Sequence, residues 1–116
     1  MPETHIVTVL ARFEMLEGKE IQAFAVFQRM ADEVKANEPG CLMYAITRGQ
    51  VNPREVYVYE MYKNQEALNA HRKTEHMTDF RSASEGLLDR GSFNVELLDE
   101  VAGFVREPVD NMKGQM

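Results

Sequence analysis

The chain has no tryptophan, one cysteine, no excess of basic residues and no long apolar run, and each absence removes a class of protein. A lone Cys41 excludes an internal disulfide and a multi-thiolate metal site, and points to a reducing, cytoplasmic setting. The 13 basic residues stand against 19 acidic ones, a formal charge of −6, whereas a nucleic-acid backbone or an anionic membrane surface demands a basic footprint. Neither is expected as a partner. Apolar stretches such as Ile6 to Ala11 fall far short of a bilayer span, and the N-terminus shows neither the basic flank nor the small-residue cleavage site of a secretory signal. Also missing are the GxGxxG and Walker loops, the HExxH helix, the CxxC pair and the GxSxG elbow, so the strongly fingerprinted cofactor and nucleophile chemistries have no anchor. No cofactor and no metal are expected.

What is present is the composition of one globular domain: 116 residues, 44% hydrophobic and 28% charged. From His5 to Leu16 the chain is rich in β-branched and aromatic residues and reads as a strand. Glu17-Gly18 ends it. Ile21, Phe24, Phe27, Ala31 and Val34 then recur at helical spacing until Asn37-Glu38-Pro39-Gly40, where proline cannot continue the hydrogen-bond ladder. Cys41 to Thr47 and Val56 to Tyr62 read as a hairpin joined by a turn from Gly49 to Pro53. Asn64 is a suitable N-cap, and the spacing predicts a helical region from Gln65 to about Arg90, broken near Thr74, with His76, Phe80, Ala83 and Leu87 on its later apolar face. Alternation from Ser92 to Val101 marks a last strand. Residues 1–102 are thus the folded domain and 103–116, with Pro108 and no clear period, a C-terminal tail.

Strand, helix, strand, strand, helix, strand is the split βαβ order, an α+β, ferredoxin-like βαββαβ fold with a four-stranded antiparallel sheet and two helical regions on one face. Two helices cannot cover both faces of that sheet. Yet the first and third strands carry apolar residues in both parities: Val7, Val9 and Phe13 against Ile6 and Leu10, and Val56 and Val58 against Tyr57, Tyr59 and Met61. Each large apolar side chain left in water forgoes roughly 1.5 to 3 kcal/mol, so a second protein layer is expected, in its simplest form a face-to-face homodimer.

The conspicuous chemistry lies in Ala70 to Phe80, where His71 and His76 stand five residues apart across the helix break. Imidazole titrates near neutrality, so a histidine facing an apolar cavity can take a proton from a weakly acidic substrate. His71 is also readable as a polar helix end, and His76 equally as a satisfied core histidine. As a metal pair they are weak: i and i+5 do not share a helical face, and no third ligand is evident. Glu60 interrupts an apolar strand with the parity of Val56 and Val58, which makes it a candidate buried carboxylate, either structural or ligand-facing. Tyr44 and Phe80 are further candidate pocket residues, and Cys41 reads as a buried, inert thiol.

Three segments in order, Glu38 to Tyr44 (EPGCLMY), Val58 to Tyr62 (VYEMY) and Glu66 to Phe80 (EALNAHRKTEHMTDF), resemble the antibiotic biosynthesis monooxygenase domain family over about the first hundred residues. That resemblance implies the ferredoxin-like fold, a dimeric α/β barrel formed through the sheets, and a ligand cavity between sheet and helices. Members of the family include cofactor-independent oxygenases of phenols and quinols, haem-degrading enzymes and an isomerase of a phosphorylated autoinducer. By the same resemblance a small phenolic or quinol ligand is implied, with His71 as base and His76 second to it. Haem chemistry fits poorly, because the chain lacks tryptophan and Arg81 stands where a histidine ligand is expected. The alternatives are isomerisation of a small phosphorylated carbonyl compound and a non-catalytic ligand-binding module.

Overall fold

The structure is a computed structural model and describes residues 5–106. Its order is β1 (Val7–Met15), α1 (Glu20–Asn37), β2 (Cys41–Arg48), β3 (Glu55–Tyr62), α2 (Gln65–Arg72), α3 (Glu75–Ala83) and β4 (Leu88–Asp99). The strands form one antiparallel sheet in the order β2-β3-β1-β4. This is the ferredoxin-like arrangement the sequence predicts, with the second helical region divided in two. Among the described residues no helix is long and apolar enough to cross a membrane.

Side chains alternate across a strand, so parity assigns the faces. Val7, Val9, Ala11 and Met15 of β1, with Val56, Val58 and Tyr62 of β3, are buried on the helix side. Against them α1 sets Ala23, Phe27, Met30 and Val34. Phe27 and Val34 are buried as expected, but Ala23 and Met30 replace Phe24 and Ala31, which are half-buried, and Ile21, expected on that face, is exposed. The register of β1 against β4 shifts between Arg12 and Glu14. This bulge leaves Phe13 free of a β4 partner, and its ring packs on Phe27, Phe80 and Phe93 with centroids 5.4, 6.0 and 4.9 Å away.

The second helical region stops well before Arg90. Ser84 caps α3, Gly86 turns the chain with φ +78°, and Leu88 already pairs with Met15. Only glycine adopts that φ without strain, so the helix ends there and the last strand begins at Leu88 rather than Ser92. From Glu100 the described chain holds no regular structure, and the predicted tail beyond Arg106 lies outside the described residues.

The outer face of the sheet carries Thr8, Leu10 and Arg12 of β1, opposite Met61, Tyr59 and Tyr57 of β3. Met43 and Leu98 continue it, and Met43, Tyr59 and Leu98 are exposed in the isolated chain. On the helix side, α1 packs against α3 and β2, and α2 against β3. The edge strand β4 is left open, and there Phe93, Val95 and Leu97 keep 53%, 41% and 52% of their surface in water.

Candidate active site

Three short pieces of chain build the site. The first is the turn after α1. The Glu38 N–H closes α1 on the Val34 carbonyl at 2.9 Å, and Pro39 prevents the helix from continuing. Gly40 then passes so close to α2 that a Cβ on it would lie 2.8 Å from the Ala67 Cβ, while its carbonyl accepts the Lys63 N–H at 2.9 Å. Glu38 is thereby held against the second helical region.

The second piece is the end of α2, which Asn64 opens by accepting the Ala67 N–H at 2.9 Å. His71 falls in its last turn and is buried. The third is the break itself. Thr74 is extended (φ −73°, ψ 155°), its hydroxyl donates to the His71 carbonyl at 2.8 Å and accepts the Met77 N–H at 3.2 Å, and so it closes α2 and caps α3. The change of direction brings His76, in the first turn of α3, back onto Glu38.

His71 Nδ1 lies 2.9 and 3.0 Å from the two carboxylate oxygens of Glu38, and His76 Nε2 makes a short hydrogen bond to Oε2 of the same group. The three donor atoms lie within 4.8 Å of one another, so among the described residues these side chains form a group able to hold a metal ion. On its other side, His71 Nε2 is 3.9 Å from Glu60 Oε1, which accepts the Tyr62 hydroxyl at 2.6 Å. The Tyr62 and Tyr44 rings flank the imidazole at 5.3 and 6.2 Å between centroids.

Burial sets the electrostatics of this group. It pushes the Glu60 carboxyl up to about 7, with the Glu38 charge adding to the effect and the Tyr62 hydrogen bond and Arg72 opposing it. Burial lowers His71, although the hydrogen bond and charge of Glu38 pull the other way. The phenols of Tyr44 and Tyr62 are both raised, again first by burial. A neutral His71 that donates Nδ1–H to Glu38 keeps a lone pair on Nε2, the tautomer a proton acceptor needs.

His71 and Glu60 border a cavity of about 650 Å³ between the sheet and the helices. Tyr44 and Phe80 line it too, Val9, Val58 and Leu68 make its walls apolar, and Arg72 and Arg81 also border it. His76 does not. It borders a second cavity, about 600 Å³, on the far side of Phe80, together with Glu33, Glu75 and Asp79. Of the predicted site residues, His71, Glu60, Tyr44 and Phe80 therefore share one cavity, while His76 joins them only through Glu38. Glu38 is the residue the sequence reading misses. Its one signal is a carboxylate at the helix stop, just ahead of Pro-Gly.

The family model described as antibiotic biosynthesis monooxygenase matches residues 6–83. The chain belongs to this family. A Caulobacter crescentus structure carrying the same family designation is 31% identical, with a TM-score of 0.80 over 86% of this chain and 93% of its own. A Mycobacterium tuberculosis protein is 26% identical, with a TM-score of 0.75 over 84% and 97% of the two chains. A Pseudomonas aeruginosa protein, 22% identical with a TM-score of 0.77 over 86% and 98%, shares the fold. No curated protein matches the chain.

Proposed function

We propose that the chain is a cofactor-independent monooxygenase that oxidises a small phenolic or quinol substrate with molecular oxygen, with His71 as the base. One observation carries this reading: a buried imidazole whose Nδ1 is tied to Glu38, whose Nε2 faces Glu60, and which with Glu60 borders a cavity walled by apolar side chains. His71 takes the phenolic proton at Nε2, and Glu38 stabilises the resulting imidazolium. The substrate anion is then electron-rich enough to reduce oxygen directly. One oxygen atom enters the ring and the other leaves as water, with all the electrons drawn from the substrate. The protein supplies orientation, deprotonation and exclusion of water. Family membership and the absence of a nucleotide- or flavin-binding fingerprint support this. The test is oxygen uptake with a panel of quinols. His71→Ala is expected to reduce the rate by roughly 100-fold or more, the usual contribution of a positioned base; equal rates remove His71 from that role.

The reading includes a homodimer joined through the outer face of the sheet, where Met43, Tyr59 and Leu98 are exposed. A second reading, isomerisation of a small phosphorylated carbonyl compound, is favoured by Arg72 and Arg81, which border the same cavity and form no ion pair among the described residues. Turnover without oxygen, accompanied by exchange of a substrate proton with heavy water, separates the two.

A further inference from the structure

We propose that Glu38, His71 and His76 form a binding site for a zinc-type divalent ion, and that its occupation switches off the base. The donor set is one carboxylate and two imidazoles, which suits zinc and its neighbours rather than magnesium or calcium, whose ligands are oxygens. The donors come from three separate pieces of chain yet converge within 4.8 Å, and their side chains are 9%, 4% and 11% exposed. Three protein ligands leave a fourth position of a tetrahedral ion for water. The second cavity, which His76 borders, supplies that water, and its Glu33, Glu75 and Asp79 outnumber Arg29, so its charge favours an arriving cation.

A separate observation points the same way. Metal-bound histidines donate their remaining N–H to an oxygen acceptor. On the side of His71 away from Glu38 stands the Glu60 carboxyl, 3.9 Å from Nε2 and itself held by Tyr62. When His71 binds an ion through Nδ1, its single proton moves to Nε2 and faces Glu60; His76, bound through Nε2, carries its proton on Nδ1. No proton is gained or lost by the pair. The lone pair that accepts the substrate proton is gone, so the ion and the base function exclude each other. This consequence rests on the oxygenase reading above, whereas the ion site does not.

Calorimetric titration of the EDTA-treated full-length protein with zinc chloride is expected to give one ion per chain, and magnesium chloride no heat. His76→Ala should weaken zinc by at least roughly 100-fold, and Glu60→Gln by roughly 10-fold, the usual cost of a lost outer partner. His5, exposed and paired with Asp99, is the remaining histidine, and His5→Ala should bind as the parent does. Undiminished binding in His76→Ala overturns the site. If that variant does not fold, the cobalt-loaded parent decides: intense visible bands of a four-coordinate ion support the site, and the pale spectrum of a six-coordinate one overturns it. Zinc should also suppress quinol-dependent oxygen uptake in proportion to occupancy, with EDTA restoring it. Binding without suppression overturns the switch. A protein that binds zinc at this site but oxidises no quinol in its metal-free form counts against the oxygenase and leaves the site standing.

Discussion

Tyr62 is fully buried, and its hydroxyl is the partner of Glu60. Tyr62→Phe removes that donor without opening a large hole and leaves a buried carboxyl short of a hydrogen bond, which costs about 1 to 3 kcal/mol. Urea denaturation should show a loss of that size, and an unchanged midpoint would mean that Glu60 finds another donor. Cys41, expected to be buried, is only half-buried in the structure, and its thiol offers a check on the edge of the same group. Burial, with the charges of Glu38 and Glu60 adding to it, pushes its thiol up to about 11. Only the thiolate reacts, so alkylation by iodoacetamide should be slow at pH 8 and climb as the pH rises toward that value. Reaction at the rate of a free thiol would contradict the raised thiol. At this scale the sequence discloses the polar residues that interrupt apolar patterns, and His71, Glu60 and Tyr44 are found that way. It does not disclose Glu38, whose partner His71 is 33 positions distant. Its one local signal, a carboxylate at a helix stop ahead of Pro-Gly, is shared by any solvated side chain in such a turn.

At the scale of elements, the site depends on two connections. Thr74 closes one helix and opens the next, and Thr74→Ala is expected to cost about 1 kcal/mol, the usual value of a lost N-cap. The same change loosens the angle between α2 and α3, so the NMR signals of His76 should move more than those of His5; equal, negligible shifts would show that the angle is held by packing alone. Gly40→Ala acts from the other side, placing a methyl 2.8 Å from the Ala67 Cβ, where no flexible side-chain end can give way. It should lower the melting temperature and displace Glu38 from His71, and a crystal structure with both hydrogen bonds intact would refute this. Strand and helix order is legible in the sequence because periodicity and breakers agree from β1 through β3. The end of the second helical region is less so: Leu87 fits the helical spacing, and only the left-handed Gly86 shows that the chain has already turned.

At the scale of the whole molecule, the helices cover one face of the sheet, while the outer face buries Thr8 and Met61 but leaves Met43, Tyr59 and Leu98 exposed. The apolar residues in both parities of β1 and β3 signal this in the sequence, although the partner itself cannot be read there. Light scattering should give a particle of twice the 13.3 kDa chain mass. Tyr59→Arg, on the outer face opposite Leu10 and Ala45, should return it to a monomer by placing an unpaired charge in the proposed interface. A monomeric parent protein would remove the dimer from the reading.

The open edge of the sheet carries a different consequence. Phe93 and Val95 line the His71 cavity yet stay half open to water among the described residues, so on the proposed reading a ligand with its ring beside His71 can extend a substituent along β4. Preference for the length and polarity of that substituent is then set by a few side chains on a strand that contributes none of the Glu38, His71, Glu60 and Tyr62 cluster. Selection can retune what is accepted while leaving the proton-handling machinery untouched, which gives one scaffold room to diversify across many small molecules.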